Sequence, residues 1–249
     1  MRHWGKMSAI FVFGDSHAGT LLEYRRLYWS SLPDVLQENF HVNFVDEGGL
    51  AQEILIESVD GRMINPIMQK TLHLAGLYDR YNTNFSCKGA NILLLFGFAD
   101  SHMIGLNPSW EGFCLGVDDG IDDYYIDTRI LTETLRWRLN KLFEFAEILA
   151  DMGANVTFLP GPPPHKENDY IAERRPDLKT IPKPEFRRQT YRELVEIFTL
   201  RCSGGVQFLN LTTAFSDREG YLLPKYNGDG VHANLEYARD YLSLISEKV

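Results

Sequence analysis

Three residues whose side chains can carry out nucleophilic catalysis stand at opposite ends of this chain of 249 residues. Ser16 follows an apolar run near the N-terminus, and Asp229 and His232 stand near the C-terminus with two residues between them. A histidine three residues after an aspartate can turn its Nδ1 toward the carboxylate across one tight turn, which leaves Nε2 to act as a base toward a serine. If the fold brings the two ends together, these residues predict a Ser-His-Asp hydrolytic site.

The Asp-x-x-His spacing carries little weight by itself, because many chains contain it by chance. In the plainer interpretation, Asp229 is a turn residue and His232 begins a helix. The hypothesis of a catalytic pair therefore depends on the setting of Ser16.

Ser16 stands where a buried strand is expected to end. Residues 9–13 are all apolar, a pattern typical of a short strand buried on both faces, and Gly14 ends the run. In open α/β folds the ligand site lies where such strands end, and N–H groups at the start of the next helix can hold an oxyanion. We therefore expect Ser16 at the carboxyl edge of a sheet, with Asp15 accepting N–H bonds in the turn.

The elements that must position these residues alternate along the chain. Strand patterns occupy 9–13, 41–45, 91–96, 155–159 and 206–211, and helical patterns occupy 17–37, 126–152, 184–202 and 233–247. This alternation predicts an α/β protein, a three-layer α/β/α sandwich with a mainly parallel five-stranded sheet of the flavodoxin-like kind. No linker is long enough to force a boundary, so 1–249 is predicted to be a single domain. Glycine-rich or polar turns follow four of the strands, so the residues that carry out the chemistry should lie at one edge of the sheet.

Other stretches are less regular. Pro33 is expected to bend or restart the first helix, and residues 52–58 resemble a helical piece. Residues 106–123 contain Gly, Pro and Asp too often for regular structure and predict a loop or lid. Residues 160–184 are charged and rich in proline, which predicts an extended excursion over the surface.

The composition and charge of the chain argue against several classes of function. A formal net charge of -9 argues against nucleic-acid and anionic-membrane partners, since both reward Lys and Arg. No apolar run approaches the roughly 20 residues of a membrane span, and the N-terminus lacks a signal-peptide cleavage region. The three cysteines are scattered, which favours neither a zinc site nor a disulfide framework. We therefore expect a cytoplasmic protein without a metal whose partner is a small molecule.

On these residues, the chain resembles the SGNH/GDSL hydrolase family over nearly its whole length. Residues 13–17, FGDSH, are similar to the nucleophile block of the family, with His17 in place of the usual Leu. Gly48 or Gly49 is similar to the glycine whose N–H enters the oxyanion hole. Residues 95–100, LFGFAD, resemble the Gly-x-Asn-Asp block, and residues 226–234, YNGDGVHAN, resemble the closing Asp-x-x-His block.

The resemblance implies a role for each residue of the site. Ser16 is the expected nucleophile, His232 the base and Asp229 the residue that orients the base. The N–H groups of Ser16 and of Gly48 or Gly49 form the expected oxyanion hole, and such a triad requires no metal and no cofactor. Five further residues are candidates for contacts with the substrate or the oxyanion: His17, Gly97, Asp100, Ser101 and His102. The plainer alternative for His17 is that it caps the first helix or faces solvent.

This sequence departs from the family pattern at the oxyanion hole, because Ala99 stands where the family has an asparagine. Removing one such donor typically costs on the order of 10²–10³ in rate. Three interpretations stay open: the hole consists of backbone N–H groups alone, Ser101 or His102 supplies a replacement donor, or the protein binds its ligand without efficient turnover. Because the whole triad is present, we favour an active enzyme.

The resemblance implies a serine esterase that cleaves a short, O-acetyl-like ester of a carbohydrate or small metabolite through an acyl-enzyme on Ser16. The alternatives are a weakened SGNH-like domain that only binds its ligand and a binuclear metallophosphoesterase. Asp15-Ser16-His17 also resembles the first Asp-x-His element of such phosphoesterases, in which the Asp and His bind metal. The Gly-Asn-His and Gly-His-x-His elements that would supply the remaining ligands do not occur in the sequence.

Overall fold

The computed structural model describes residues 9–45, 54–58, 61–79, 81, 84–98, 113–115, 124–178 and 181–248. The strands are β1 (Ile10–Gly14), β2 (Phe40–Phe44), β3 (Leu55–Ser58), β4 (Gly61–Ile64), β5 (Tyr78–Asp79), β6 (Asn84–Phe85), β7 (Asn91–Leu95), β8 (Phe113–Leu115), β9 (Tyr124–Ile126), β10 (Asn155–Phe158) and β11 (Val206–Phe208). The α-helices are α1 (Ser16–Leu27), α2 (Asp34–Asn39), α3 (Pro66–Leu74), α4 (Thr128–Asp151), α5 (Asn168–Arg174), α6 (Pro184–Arg201), α7 (Thr212–Phe215) and α8 (Leu235–Lys248). Two short 3-10 helices are Trp29–Ser31 and Pro224–Tyr226.

The main sheet has five strands, and every neighbouring pair is parallel. Their order is β11-β10-β7-β1-β2. Within it, Val12 of β1 lies opposite Leu93 of β7 on one side and Val42 of β2 on the other. The predicted five-stranded parallel sheet is therefore confirmed, and the carboxyl ends of its strands lie at one edge.

Helices cover the sheet on both faces, because the side chains of its strands are apolar on both sides. Phe11 and Phe13 of β1 belong to an apolar core that also contains side chains of α3, α4 and α6. Ile10 and Val12 point the other way and belong to a second core with side chains of α1, α2 and α8. The alternation along one strand thus produces the three layers, α/β/α, that the sequence predicts.

The longest helix, α4, shows how the sequence forms one of these layers. Asp127 caps it by accepting a hydrogen bond from the N–H of Arg129 at 2.9 Å. Its apolar side chains recur at helical spacing and are buried: Leu131, Leu135, Leu139, Leu142, Phe143, Phe145, Ala146 and Leu149. Although α4 has 24 residues, neither it nor any other helix in the described residues is long and apolar enough to cross a membrane.

The helix expected over 52–58 is wrong, because β3 forms there and pairs antiparallel with β4, with Leu55 opposite Ile64. A run of four residues is too short for helical spacing to be distinguished from strand alternation, and the pairing that decided the outcome is not local. The loop expected over 106–123 likewise contains β8, which pairs with β9. The rest of that stretch lies outside the described residues.

The first part of the proline-rich segment after β10, unlike the mostly exposed residues 166–178, is not the surface excursion that its composition predicts. Residues 160–165 are buried, and α5 forms within the segment. Two buried tyrosines donate to its backbone: Tyr241 to the carbonyl of Pro160, and Tyr191 to that of Gly161 at 2.7 Å. Because proline has no N–H, such a segment can be buried with few donors left to satisfy.

Candidate active site

Ser16 begins α1, directly after the turn that ends β1. Asp15 caps this helix, since its Oδ1 accepts the N–H of His17 at 3.0 Å, as expected for an acceptor in the turn. A Cβ on Gly14 would lie 2.6 Å from the Cβ of Ala18, so only glycine fits there. A tight turn from strand to helix therefore holds Ser16 at the carboxyl edge of the sheet.

The peptide N–H of Ser16 is one of the groups that the start of a helix leaves without an acceptor inside the helix. Neither this N–H nor the hydroxyl of Ser16 hydrogen-bonds to any residue that the structure describes. Ser16 is also exposed. A hydroxyl and a peptide N–H, neither bonded to a described residue, therefore lie together at an exposed residue, and their roles as nucleophile and oxyanion donor stay predictions.

Asp229 and His232 form a hydrogen-bonded pair within one turn. Oδ2 of Asp229 lies 2.8 Å from Nδ1 of His232, and Oδ1 accepts the N–H groups of Val231 and His232 at 3.0 and 2.6 Å. Because a carboxylate only accepts, the proton lies on Nδ1, and Nε2 of the neutral ring carries the lone pair. Partial burial by itself raises the pKa of Asp229, but the bonds from the side chain and backbone of His232 outweigh burial and hold that pKa well below its usual range.

Ser16, Asp229 and His232 line one open cleft of about 410 Å³. Its other described wall residues come from α1 and from the chain around the start of α8: Gly19, Thr20, Glu23, Ala233, Asn234 and Leu235. Nε2 of His232 is shielded from water and has no hydrogen-bond partner in the described part of the chain, so it is not bonded to the Ser16 hydroxyl. In enzymes without substrate such bonds are often long and tighten only in the complex.

His17, next to Ser16, is buried. Only 5% of its surface is accessible, and its ring meets that of His232 edge to face with the centroids 5.3 Å apart. A Cβ on Gly161 would lie 3.3 Å from Cδ2 of His17, so this ring also lies against the segment that follows β10. The alternative in which His17 faces solvent is therefore wrong. Its contact with a substrate or an oxyanion stays a prediction.

Of the remaining predicted site residues, Gly97 lies in the described part of the chain. Its φ is +87°, and a Cβ there would lie 2.7 Å from a side-chain carbon of Leu139 and 3.1 Å from one of Phe198, so its Cα faces the core. The other predictions fall outside the described residues: Gly48, Gly49, Ala99, Asp100, Ser101 and His102. They stay predictions, as does any contact of the Gly97 backbone with an oxyanion.

The sequence interpretation missed His165, because it assigned this residue to a surface excursion. His165 is 3% exposed, its ring stacks on that of Tyr170, and its ring nitrogens have no hydrogen-bond partner among the described residues. Burial lowers the pKa of His165 to about 4, so the ring is neutral at pH 7. One sequence signal could have found it. Its Gly-Pro-Pro-Pro-His stretch follows a strand, β10, that ends at the same edge of the sheet as β1.

Among the described residues, no three His, Cys, Asp or Glu side chains form a group that could hold a metal ion. Asp15, which would be a ligand in a metallophosphoesterase, directs Oδ1 to the N–H of His17.

Comparisons with known proteins bear on the fold. No protein-family model matches the sequence, and no curated protein matches it. A structure from Streptococcus pneumonia, provisionally named a platelet activating factor, is 14% identical with a TM-score of 0.51, over 99% of this chain and 86% of that one. A GDSL-like lipase from Bacteroides thetaiotaomicron is 12% identical with a TM-score of 0.49, over 97% and 87% of the two chains. At 14% identity a likeness shows the fold alone, and this chain has the three-layer α/β/α fold that its resemblance to the SGNH/GDSL hydrolases implies.

Proposed function

We propose that the chain is a serine hydrolase of the SGNH/GDSL type, which cleaves a short acyl ester of a carbohydrate or small metabolite. One observation carries this proposal: Ser16, at the start of α1, and the hydrogen-bonded Asp229 and His232 line the same cleft. The carboxylate fixes the tautomer of the ring and leaves Nε2 as the base, which is what a serine nucleophile requires.

In the proposed reaction, the Ser16 hydroxyl attacks the ester carbonyl while Nε2 of His232 takes its proton. Asp229 stabilises the imidazolium that results. The N–H of Ser16 and, following the family pattern, that of Gly48 or Gly49 hold the negative charge on the carbonyl oxygen.

The tetrahedral intermediate then collapses to an acyl-enzyme. The bond between the carbonyl carbon and the alcohol oxygen breaks, and His232 gives its proton to the departing alcohol. Water attacks the acyl group with His232 again as the base, which releases the carboxylic acid and returns the proton to Ser16.

The wall of the cleft along α1 favours an uncharged or cationic alcohol part. Gly19, Thr20 and Glu23 line the cleft with Ser16, and Glu23 lies about 10 Å from Ser16 along the helix axis. The described wall contains the carboxylate of Glu23 and contains neither Lys nor Arg. A negatively charged alcohol part would be repelled there, whereas sugar hydroxyls or a cationic group would find an acceptor.

Labelling with a fluorophosphonate probe tests the proposal, because the probe modifies only an activated serine. We expect the wild-type protein to be labelled at Ser16 and the Ser16→Ala variant not to be labelled. Ser243→Ala changes an exposed serine of α8 outside the cleft and should be labelled like the wild type. A folded wild-type protein that does not react would contradict the proposal.

A hydrolase-like domain that binds an acylated ligand without turnover is the second candidate. Ala99, in place of the oxyanion asparagine, favours it, and so does the missing bond between Ser16 and Nε2 of His232. This candidate predicts saturable binding of an ester that is neither hydrolysed nor displaced by the fluorophosphonate probe.

A further inference from the structure

The 227–232 loop, which carries the catalytic pair, is held from its outer side by the chain around α5. The hydroxyl of Tyr170 donates a hydrogen bond to the carbonyl of Gly228, the residue before Asp229. We name residues 165–174 the brace, because this contact joins α5 to the loop across a large separation in sequence.

A second contact of the brace comes from His165. Its ring stacks on that of Tyr170, with the centroids 5.3 Å apart and the planes 25° from parallel. The side chain of Asn227 and the backbone of His232 lie close enough to raise the pKa of this ring, but neither ring nitrogen makes a hydrogen bond within the described residues. One side chain of the brace therefore bonds to the loop, and a second, stacked on it, lies beside the loop.

Arg187, a buried cation with 4% of its surface exposed, fixes the brace to α6. Its Nη2 donates to the carbonyls of His165 and Lys166 at 2.9 and 3.2 Å. Its Nη1 donates to the Asn168 side chain at 2.8 Å and to the carbonyl of Pro182. Burial lowers the pKa of Arg187 to about 10, and the four acceptors offset the cost of burying the charge. The N-terminal end of the brace is thus anchored to α6 by hydrogen bonds that do not involve the loop.

We propose that the brace positions Asp229 and His232 toward Ser16, with Tyr170 as the positioning residue. The inference rests on the proposed function. The pair lies on an irregular loop, 53% of the Asp229 side chain and 27% of the His232 side chain are exposed, and the ring of His17 packs against that of His232 on the side of Ser16. A catalytic imidazole must be held within about 10–20° of its productive direction, and contacts on the outer side of the loop supply that restraint.

The test removes one hydroxyl. Tyr170→Phe deletes the bond to Gly228 and keeps the ring that stacks on His165, so the fold should persist with Tm lowered by no more than about 4 °C. The matched control is Tyr28→Phe, an exposed tyrosine after α1 whose hydroxyl bonds to no described residue. Two measurements are compared in both variants: amide hydrogen exchange over 227–232, and the rate at which a fluorophosphonate labels Ser16.

We expect Tyr170→Phe to exchange faster over 227–232 and nowhere else, with labelling of Ser16 slowed about five- to tenfold, as for the loss of one orienting hydrogen bond. We also expect kcat to fall by a similar factor while KM changes by less than about twofold. If amide exchange over 227–232 is the same in Tyr170→Phe as in the wild type, the brace does not restrain the loop and the proposal is overturned. Labelling at the wild-type rate overturns its positioning role. If the wild-type protein is not labelled at all, the proposed function fails, and the exchange result decides the brace by itself.

Discussion

Nδ1 of His232 lies 2.8 Å from Oδ2 of Asp229, whereas Nε2 of the same ring has no hydrogen-bond partner among the described residues. The ring is thus fixed at one nitrogen and available at the other. A shielded acceptor without a partner costs free energy, and a bond from the Ser16 hydroxyl or from a departing alcohol would remove that cost. This asymmetry suits a general base that takes a proton and returns it.

The first prediction concerns the pH dependence of hydrolysis. Because the pKa of Asp229 is held well below its usual range, this carboxylate stays ionised at every working pH. Protonation of Asp229 should therefore not lower kcat/KM between about pH 5 and 9, and a loss of activity on acidification over this range must come from another group of the site. Initial rates from about pH 5 to 9 measure this profile.

The matched variant is Asp229→Asn, which keeps the size of the side chain and removes its charge. An amide can stabilise the wrong tautomer of His232, so kcat should fall on the order of 10³–10⁴. A near-normal rate in this variant would show that another group orients the base.

The second prediction concerns acid stability. Burial lowers the pKa of His165 to about 4 from its ordinary value of 6.5, so the folded state binds fewer protons than the unfolded state between these values. The group therefore leaves stability unchanged above about pH 6.5 and reduces it as pH falls toward 4, by roughly 3 kcal/mol at the lower end.

His165→Phe removes this titration and keeps a ring against Tyr170. The free energy of unfolding of the variant should therefore fall less than that of the wild type between pH 7 and about 4.5, as measured in urea. All other groups titrate in both proteins, so the difference isolates His165. If the free energy of unfolding falls equally with pH in the wild type and in His165→Phe, the ring of His165 is not held neutral by burial in the folded protein.

The third prediction concerns the alcohol part of the substrate. Glu23→Gln should lower kcat/KM for an ester of a cationic alcohol about two- to fivefold, the range expected for an exposed charge pair, and salt should reduce the effect. A neutral ester of the same size should change little. Glu247→Gln, an exposed carboxylate on α8 outside the cleft, is the control. Equal losses for cationic, neutral and anionic esters would mean that Glu23 does not contact the alcohol.

Sequence reasoning located the turn at Ser16 and the Asp229–His232 pair because both are local. Five apolar residues followed by Gly14 predict a strand that ends in a tight turn, and a spacing of three residues is enough for a carboxylate to meet an imidazole. The five-stranded sheet was predictable because two of its strands, β1 and β7, are compact apolar runs and helical patterns alternate with the others.

The features that sequence reasoning missed depend on contacts between segments that are distant in sequence. Tyr170 meets Gly228, and His165 meets the 227–232 loop, only because the proline-rich segment folds inward. A helix does restart after Pro33, as expected, because α2 begins at Asp34, but the first helix ends earlier than predicted, at Leu27. Proline marks where a helix can begin as well as where one ends.

The fourth prediction concerns the oxyanion hole. If the hole consists of backbone N–H groups alone, Ala99→Asn should raise kcat on an activated ester, by less than the 10²–10³ typical of removing an optimised donor. If Ser101 or His102 already supplies a donor, Ala99→Asn should be neutral or harmful. Ser101→Ala or His102→Ala should then cost at least about tenfold. No effect from any of the three variants would mean that residues 95–100 do not correspond to the Gly-x-Asn-Asp block of the family.

Turnover by Ser16→Ala tests the central claim most directly. The hydroxyl lies on the exposed side of the turn, so its removal should leave Tm nearly unchanged. Hydrolysis of a short-chain aryl ester, measured in chelator-treated buffer, should fall by more than about 10³-fold, because the acyl-enzyme of the proposed reaction forms on this hydroxyl. Hydrolysis by Ser16→Ala at a rate near that of the wild type would contradict the serine mechanism.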